Sequence, residues 1–363
     1  MKVYIESLGC DSNLADTSRI RKYFAANMAK LVQDYRKADL IILMSCGFNK
    51  IMMDKNIRRL KTFIRKSDAR ILLGGCIPKI NKKINSLVDE SFGPKELDKL
   101  DTLFNFRTKI SGISPEFSRN DKKIIRIATG CEGNCSYCAI KVANTCTRSR
   151  KFEDIENDIK EGLKEGYSKF IFVSEDNGSW GQDIESNLAE LMRNIIKIRG
   201  NFKITLTTIN PRWFIRYPGL TDLFKSGKVE KKLYLPLQSG SDRILGLMKR
   251  SYTVREYVDI FSRLKREIPE IKIQTDVLAG FPTEKNEDFL ATLKLIKELD
   301  IYFLQVFAYT EMEGTASSKI SQKVPFKTAE KRAKKLIRTF LDKNKDICSG
   351  RKLVVTNLES IGT

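Results

Sequence analysis

Three cysteines fall within the eight residues CEGNCSYC (131–138), spaced C-x3-C-x2-C, in a chain of 363 residues that contains no histidine. Thiolates at this spacing can each ligate one iron of a cubane [4Fe-4S] cluster, which leaves the fourth iron without a protein ligand. Structural zinc wants four protein ligands, often cysteine with histidine. Cys146, eight residues on, is the one nearby thiol that could complete such a set. The spacing favours the open-site cluster over zinc. Disulfides suit an oxidising compartment, and the N-terminal stretch MKVYIESLGC reads as a strand, not a signal peptide. No apolar run approaches the length of a membrane span, so a cytoplasmic protein with no membrane partner is expected.

The other five cysteines are Cys10, Cys46, Cys76, Cys146 and Cys348. The first three gain meaning from the elements around them. KVYIESL, DLIILMS and RILLGG read as short apolar strands, separated by helical patterns at about Ser12–Asn27 and Ile51–Lys66 and followed by a third helix from about Ile80. Strands alternating with helices indicate a doubly wound parallel sheet. Cys10, Cys46 and Cys76 each follow one strand, so all three leave the carboxyl edge, where such folds place ligands. Gly9, Gly47 and Gly75 lie beside them, where backbone must pass closely. Three unrelated buried cysteines at tight turns would fit the same positions.

A polar stretch, ISPEFSRNDKK (113–123), reads as a domain boundary. Beyond it come six strand patterns: IIRIA (124–128), KFIFVS (169–174), FKITL (202–206), KLYLP (232–236), IKIQTDVLA (271–279) and YFLQVFAY (302–309). Amphipathic helices separate them at 152–166, 187–198 and 254–267. This is the pattern of a partial (β/α)6 barrel whose working residues sit at the carboxyl ends of strands. A basic helix from about Lys327 follows, and RKLVVTNLESIGT leaves room for one further strand. The fold class is thus α/β, with domains at 1–115, 122–325 and 326–363.

Lys and Arg number 66 against 45 Asp and Glu, a formal charge of +21 that favours a polyanionic partner such as RNA. Lysine is abundant throughout, so compositional drift is the competing explanation. The absence of histidine excludes Ser-His-Asp and Cys-His catalysis and leaves acid-base work to Asp, Glu, Lys or Tyr.

The cluster loop at the end of the first barrel strand, with Tyr137 before its last cysteine, resembles the radical S-adenosylmethionine (SAM) superfamily. SEDNGSWGQDI (174–184), INPRWF (209–214), LPLQSGSDRIL (235–245), TDVLAGFPTE (275–284) and EGT (313–315), with YIESLGCDSNLADT, MSCGF and LGGCIPK near the N-terminus, narrow the resemblance to the methylthiotransferases, over residues 1 to about 345. The resemblance implies two [4Fe-4S] clusters, one on Cys131, Cys135 and Cys138 that cleaves SAM to a 5′-deoxyadenosyl radical, and one on Cys10, Cys46 and Cys76 that carries the sulfur. It implies two SAM molecules, as methyl donor and radical source, with an external sulfur source and a one-electron reductant such as flavodoxin or ferredoxin. It places Ser174, Glu175 and Asp176 at the cofactor's amino group. Tyr137, Asn210, Gln238, Gly280, Phe281 and Pro282 become further cofactor contacts, and Arg148 and Arg150 substrate contacts. A bare cation on the surface, or a plain strand-ending turn at Gly280–Pro282, would serve equally at several of these positions.

The substrate implied is N6-threonylcarbamoyladenosine beside the tRNA anticodon, or an aspartate side chain of a ribosomal protein; a monomer is expected. GCIPK, INP and SEDNGSWGQDI resemble the archaeal and eukaryotic tRNA branch, whereas SLGCDSNLAD and SCGF resemble the ribosomal-protein branch. The resemblance implies a C-terminal RNA-binding TRAM domain, of which only a stub is expected in the residues after Gly350, and VANTCTRSR stands where an Arg/Gly-rich stretch is usual. A non-catalytic iron-sulfur RNA-binding protein is the reading from another class, against which two open-site cysteine triplets argue.

Overall fold

The computed structural model describes residues 1–344 and 354–356. Cys348 and most of the expected C-terminal stub lie outside the described residues. The chain forms two compact units, Met1–Glu132 with Cys138–Asn187 and Lys197–Ile204, and Gly133–Tyr137 with Leu188–Ile196 and the chain from Thr205.

The first unit opens with a five-stranded sheet of β1 (Lys2–Ser7), β2 (Lys30–Leu31), β3 (Leu40–Ser45), β4 (Arg70–Gly75) and β5 (Glu90–Phe92). All pairings are parallel, in the order β2-β1-β3-β4-β5. Central β3, Leu-Ile-Ile-Leu-Met-Ser, is buried along its whole length, as a strand covered on both faces must be. Each of its large side chains contributes about 1.5–3 kcal/mol by burial. Helices Asp11–Ala26 and Lys50–Lys66 match the periodicity of the sequence. The helix expected from Ile80 does not form. The α-helical turn is Ile77–Ile80 and a 3-10 helix, Lys82–Leu87, follows. NKKINSL buries Ile84 alone and offers no apolar face to hold a longer helix.

The same unit continues with β6 (Glu116–Arg119), β7 (Lys122–Arg126), β8 (Ala128–Thr129), β9 (Arg148–Ser149), β10 (Lys169–Val173) and β11 (Lys203–Leu206), of which Lys203 and Ile204 belong to it. β10 pairs with β7 in parallel, β6 with β7 antiparallel, and β8 with β9 as a short antiparallel ladder. The stretch read as a boundary at 113–123 therefore holds an ordered strand. Helix Asp11–Ala26 packs on β6 and β7, and Asp11, Asp16 and Lys22 on it pair with Arg119, Arg126 and Glu116. These ion pairs and the buried helix face explain why the compact unit runs across the division expected at 115–122.

The second unit holds β12 (Lys232–Tyr234), β13 (Lys272–Ala279), β14 (Phe303–Ala308) and β15 (Val354–Thr356), in that order and all parallel. β15 is the strand expected of the C-terminal segment. The basic helix spans Phe326–Lys343 and buries Ala329, Ala333, Leu336, Ile337 and Phe340. The six barrel strands read from sequence are β7, β10, β11, β12, β13 and β14.

Candidate active site

In the first sheet the strand order places the topological switch between β1 and β3, and ligands bind at such a crevice beyond the carboxyl ends. Cys10 follows β1 and precedes helix Asp11–Ala26, Cys46 follows β3 directly, and Cys76 follows β4 and precedes Ile77–Ile80. Two asparagines lace these turns together. Ser7 Oγ donates to Asn13 Oδ1 (2.6 Å) and Asn13 Nδ2 to the Ser45 carbonyl (3.2 Å), while Asn56 Oδ1 accepts from the Cys46 amide (3.2 Å). The Cys76 amide also donates to Ser45 O, at 3.0 Å. Gly75 has φ +93° and a Cβ there would stand 2.3 Å from Ser45 O, so only glycine fits.

Cys10 is accessible to solvent although surrounded by protein; Cys46 is buried and Cys76 partly so. Burial pushes the Cys10 thiol up to about 11, and the charge of Cys46 adds to this. Cys76 is raised well above the ordinary thiol value by burial, then by Cys46 and Cys10. Cys46 is raised by burial, and buried thiols of this kind ionise together only when cations compensate them. Among the described residues no three Cys, Asp or Glu side chains are drawn tightly enough to chelate a single ion. A set of three thiolates is one donor short of a structural zinc site and matches a cubane with one open iron.

Of the loop CEGNCSYC, Cys131 and Cys138 belong to the first unit. Gly130 has φ +90°, and a Cβ there would lie 1.9 Å from the Cys146 carbonyl oxygen. The Gly130 amide donates to Glu175 Oε2 (2.9 Å) and the Glu132 amide to Ser179 Oγ (3.1 Å). Asp176 Oδ2 lies 3.7 Å from Cys131 Sγ, and the Ser179 hydroxyl donates to that sulfur at 3.8 Å. Ser174 donates to Asn177 Oδ1 at 2.7 Å. Glu175 does not face open solvent: its carboxylate lies 3.4 Å from Arg126 Nη2, and Arg126 pairs through Nη1 with Asp16. Burial raises the Glu175 pKa against the pull of Arg126. Burial likewise opposes the charge on Arg126, but Asp16 and Glu175 outweigh it and raise its pKa. Cys10 and Cys76 both feel the charges of Glu175 and Arg126. Arg150 is committed to Asp158 (2.7 Å) and the Arg126 carbonyl (3.0 Å), whereas Arg148 is exposed.

Cys135 and Tyr137 belong to the second unit. Arg250 Nη1 donates to Cys135 Sγ at 3.3 Å; its Nε donates to Tyr252 OH (2.9 Å), with the guanidinium 5.0 Å from that ring's centroid. Tyr137 meets Phe281 edge to face at 6.5 Å. Phe281 is fully buried with Ile244, Met248 and Tyr309, so it supports the Tyr137 ring from the core. Gly280 has φ +77°, and a Cβ there would lie 2.2 Å from Ala329 Cβ. Gln238 also adopts a left-handed backbone, φ +68°, rare for this residue and common at functional sites. Its amide donates to the Asp276 carbonyl at 2.9 Å. Asp276 is buried and its Oδ1 has no hydrogen-bond partner. Burial raises its pKa against Arg250, Gln238 and Tyr234. Asn210 is buried and accepts from the Arg212 amide at 3.2 Å.

Sequence reasoning missed Asn13, Asn56, Arg126, Arg250 and Asp276. A lone arginine inside the apolar strand IIRIA was the visible signal for Arg126.

The model of the Radical SAM superfamily matches residues 125–296, and that of the Uncharacterized protein family UPF0004 matches residues 2–92. A probable threonylcarbamoyladenosine tRNA methylthiotransferase from Archaeoglobus fulgidus is 30% identical over 93% of this chain and 82% of its own length. The ribosomal protein uS12 methylthiotransferase RimO from Carboxydothermus hydrogenoformans is 31% identical, again over 93% and 82%. The chain belongs to the radical SAM methylthiotransferases. As a radical SAM methylthiotransferase it is an enzyme that uses a [4Fe-4S] cluster and SAM. The fold agrees: the radical SAM methyltransferase TsrM from Kitasatospora setae, solved with cobalamin and a [4Fe-4S] cluster, aligns with a TM-score of 0.60 at 13% identity over 84% of this chain and 74% of TsrM. Among the described residues of the methylthiotransferase no helix is long and apolar enough to cross a membrane.

Proposed function

We propose that the enzyme methylthiolates N6-threonylcarbamoyladenosine next to the tRNA anticodon. The observation that carries the reading is the pair of cysteine triplets: Cys131, Cys135 and Cys138 in one loop, and Cys10, Cys46 and Cys76 following β1, β3 and β4 at one sheet edge. When bound, the two clusters with SAM supply a hydrogen-abstracting radical and a sulfur to be methylated and inserted, chemistry that no side chain provides.

The chain's own residues position and insulate. Glu175 fixes the entry to the cluster loop through the Gly130 amide, and Ser179 holds the next turn through Glu132. Arg250 brings positive charge to Cys135 Sγ. The free acceptor of Asp276, within β13 and joined through its carbonyl to the Gln238 amide, suits a ligand rich in hydroxyl or amino donors, as the adenosyl group is. Tyr137 on buried Phe281 gives a rigid apolar face that excludes water. The charge of +21 and the names of the archaeal relatives favour tRNA over protein as the substrate. The reading further requires a sulfur source and a flavodoxin- or ferredoxin-type electron donor, and has the enzyme act as a cytoplasmic monomer.

The test is mass spectrometry of tRNA nucleosides and ribosomal proteins from a deletion strain and its parent. The methylthio mass should vanish from threonylcarbamoyladenosine and return with the gene. Loss from a ribosomal protein alone would replace this substrate with the aspartate side chain.

A further inference from the structure

A cleft of about 770 Å³ opens within the first unit, beside β8 and β9. Four arginines line it, Arg19, Arg126, Arg148 and Arg150, and they divide into two kinds. Arg126 is neutralised by Asp16 and Glu175, and Arg150 by Asp158. Arg19 and Arg148 have no ion pair with any carboxylate among the described residues. Arg19 is anchored by one bond, Nε to the Ile110 carbonyl at 2.9 Å, which leaves its terminal nitrogens as an unused fork. Burial disfavours its charge; Asp16 supports it, but Arg150, Arg126 and Arg148 all oppose it. Arg126 and Arg150 have carboxylate partners of their own, so the repulsion left uncompensated is that of Arg148 on Arg19, which a bound anion relieves. The hydroxyl-bearing residues Ser111 and Thr129 also line the cleft. Asp98, Asp154 and Glu161 on its wall carry no ion pair among the described residues and bring the cleft as a whole near neutrality, so the selectivity for an anion belongs to the Arg19–Arg148 end.

Position gives this end its significance. Arg19 rides on the helix that Cys10 begins, and Arg148 pairs through β9 with Thr129, two residues before Cys131. We propose that Arg19 and Arg148 form a phosphate-binding site that takes a backbone phosphodiester of the RNA substrate. The inference rests on the tRNA reading for the identity of the ligand and on the cleft alone for its phosphate chemistry. Arginine forks match phosphate oxygens two at a time, and contacts of this kind set register on a nucleic acid without reading sequence.

The test uses the full-length, cluster-loaded enzyme with Arg19→Gln, Arg148→Gln and the double substitution. Arg148 is exposed, so its variant leaves the fold intact; iron content and circular dichroism check all three. Binding of fluorescein-labelled tRNA is followed by anisotropy across a series of KCl concentrations. Each lost phosphate contact reduces the slope of log affinity against log salt by about 0.7–0.9, so the affinity ratio of wild type to single variant shrinks about 2.6- to 3.5-fold for each fourfold rise in salt. Lysine at the same position restores the slope. Calorimetry with inorganic pyrophosphate at low salt forms the second arm, with binding by the wild type and its loss in the double variant expected. Unchanged slope and affinity for tRNA in the double variant overturn the site while the tRNA reading stands. No tRNA binding by the wild type, with pyrophosphate binding lost in the double variant, keeps the phosphate site, assigns it a small phosphorylated ligand and refutes the tRNA reading. If the variants alter neither ligand, the proposal falls.

Discussion

Replacing Arg126 with leucine leaves Asp16 and Glu175 in the protein without their cation. The three side chains are 3%, 6% and 10% exposed, so solvent screening offers little relief. Removing one partner of a buried pair costs about 3–5 kcal/mol. The carbonyls of Ser12 and Ala128, which accept from Arg126 at 3.4 and 3.2 Å, lose a donor as well, which places the expected loss at the upper end of that range. Against a typical total of about 5–15 kcal/mol this is a large fraction. Arg126→Lys keeps the charge and loses the fork, at about 1–2 kcal/mol. The loss depends on pH with a definite sign. Burial already holds the Glu175 pKa above its ordinary value, and without Arg126 it rises further. A carboxyl with a raised folded pKa stabilises the protein below its unfolded value and loses that contribution as pH climbs through the folded value. The leucine variant should therefore be closer to wild type at about pH 5.5 than at about pH 8. The assay is urea unfolding followed by the emission of Trp180, buried in the same unit, with far-UV circular dichroism alongside. A loss below about 1 kcal/mol, or one that grows on acidification, would refute the assignment of this trio as a paired buried network.

Alanine at Cys131, Cys135 and Cys138 together should remove about half of the iron bound after anaerobic reconstitution, and alanine at Cys10, Cys46 and Cys76 the other half; full iron retention by either triple variant removes that triplet from the ligands. Arg250→Gln takes a charged donor from Cys135 Sγ and should make the potential of the loop cluster more negative, read by an EPR-monitored redox titration. An unchanged potential would show that the 3.3 Å contact has no electronic role. Gly280→Ala combines φ +77° with a Cβ 2.2 Å from Ala329, whereas Gly166→Ala meets φ +88° with nothing within 4 Å. Thermal unfolding should show the first costing more than about 2 kcal/mol and the second about 1 kcal/mol; equal losses would mean that helix Phe326–Lys343 yields at no cost.

Much of this architecture was legible in the sequence because periodicity reports burial directly. LIILMS and VREYVDIFSRLKRE could hardly be anything but a buried strand and an amphipathic helix, and the structure has them at Leu40–Ser45 and Val254–Glu267. The convergence of Cys10, Cys46 and Cys76 followed from topology, since parallel strands of one sheet all end on the same edge. What could not be read were pairings between residues distant in sequence. Asp16 and Arg126 are 110 positions apart and each looks like an ordinary surface charge until the helix and β7 are packed. Short strands such as β6 escaped because EFSR carries no alternation strong enough to separate it from a polar loop. The family resemblance alone is what places Glu175, within SEDNGSW, at the cofactor's amino group. Only the fold reveals that its carboxylate also accepts from the Gly130 amide and lies 3.4 Å from a buried arginine.

The continuity of the first unit across residues 113–123 bears on how such enzymes can be recombined. A hybrid joined at 115, the natural place to cut by sequence, would take Asp11, Asp16 and Lys22 from one parent and Arg119, Arg126 and Glu116 from the other. Exchange of specificity between relatives should then succeed when the N-terminal sheet travels with the barrel strands β7 and β10 as one heritable block, and fail when the sheet is moved alone.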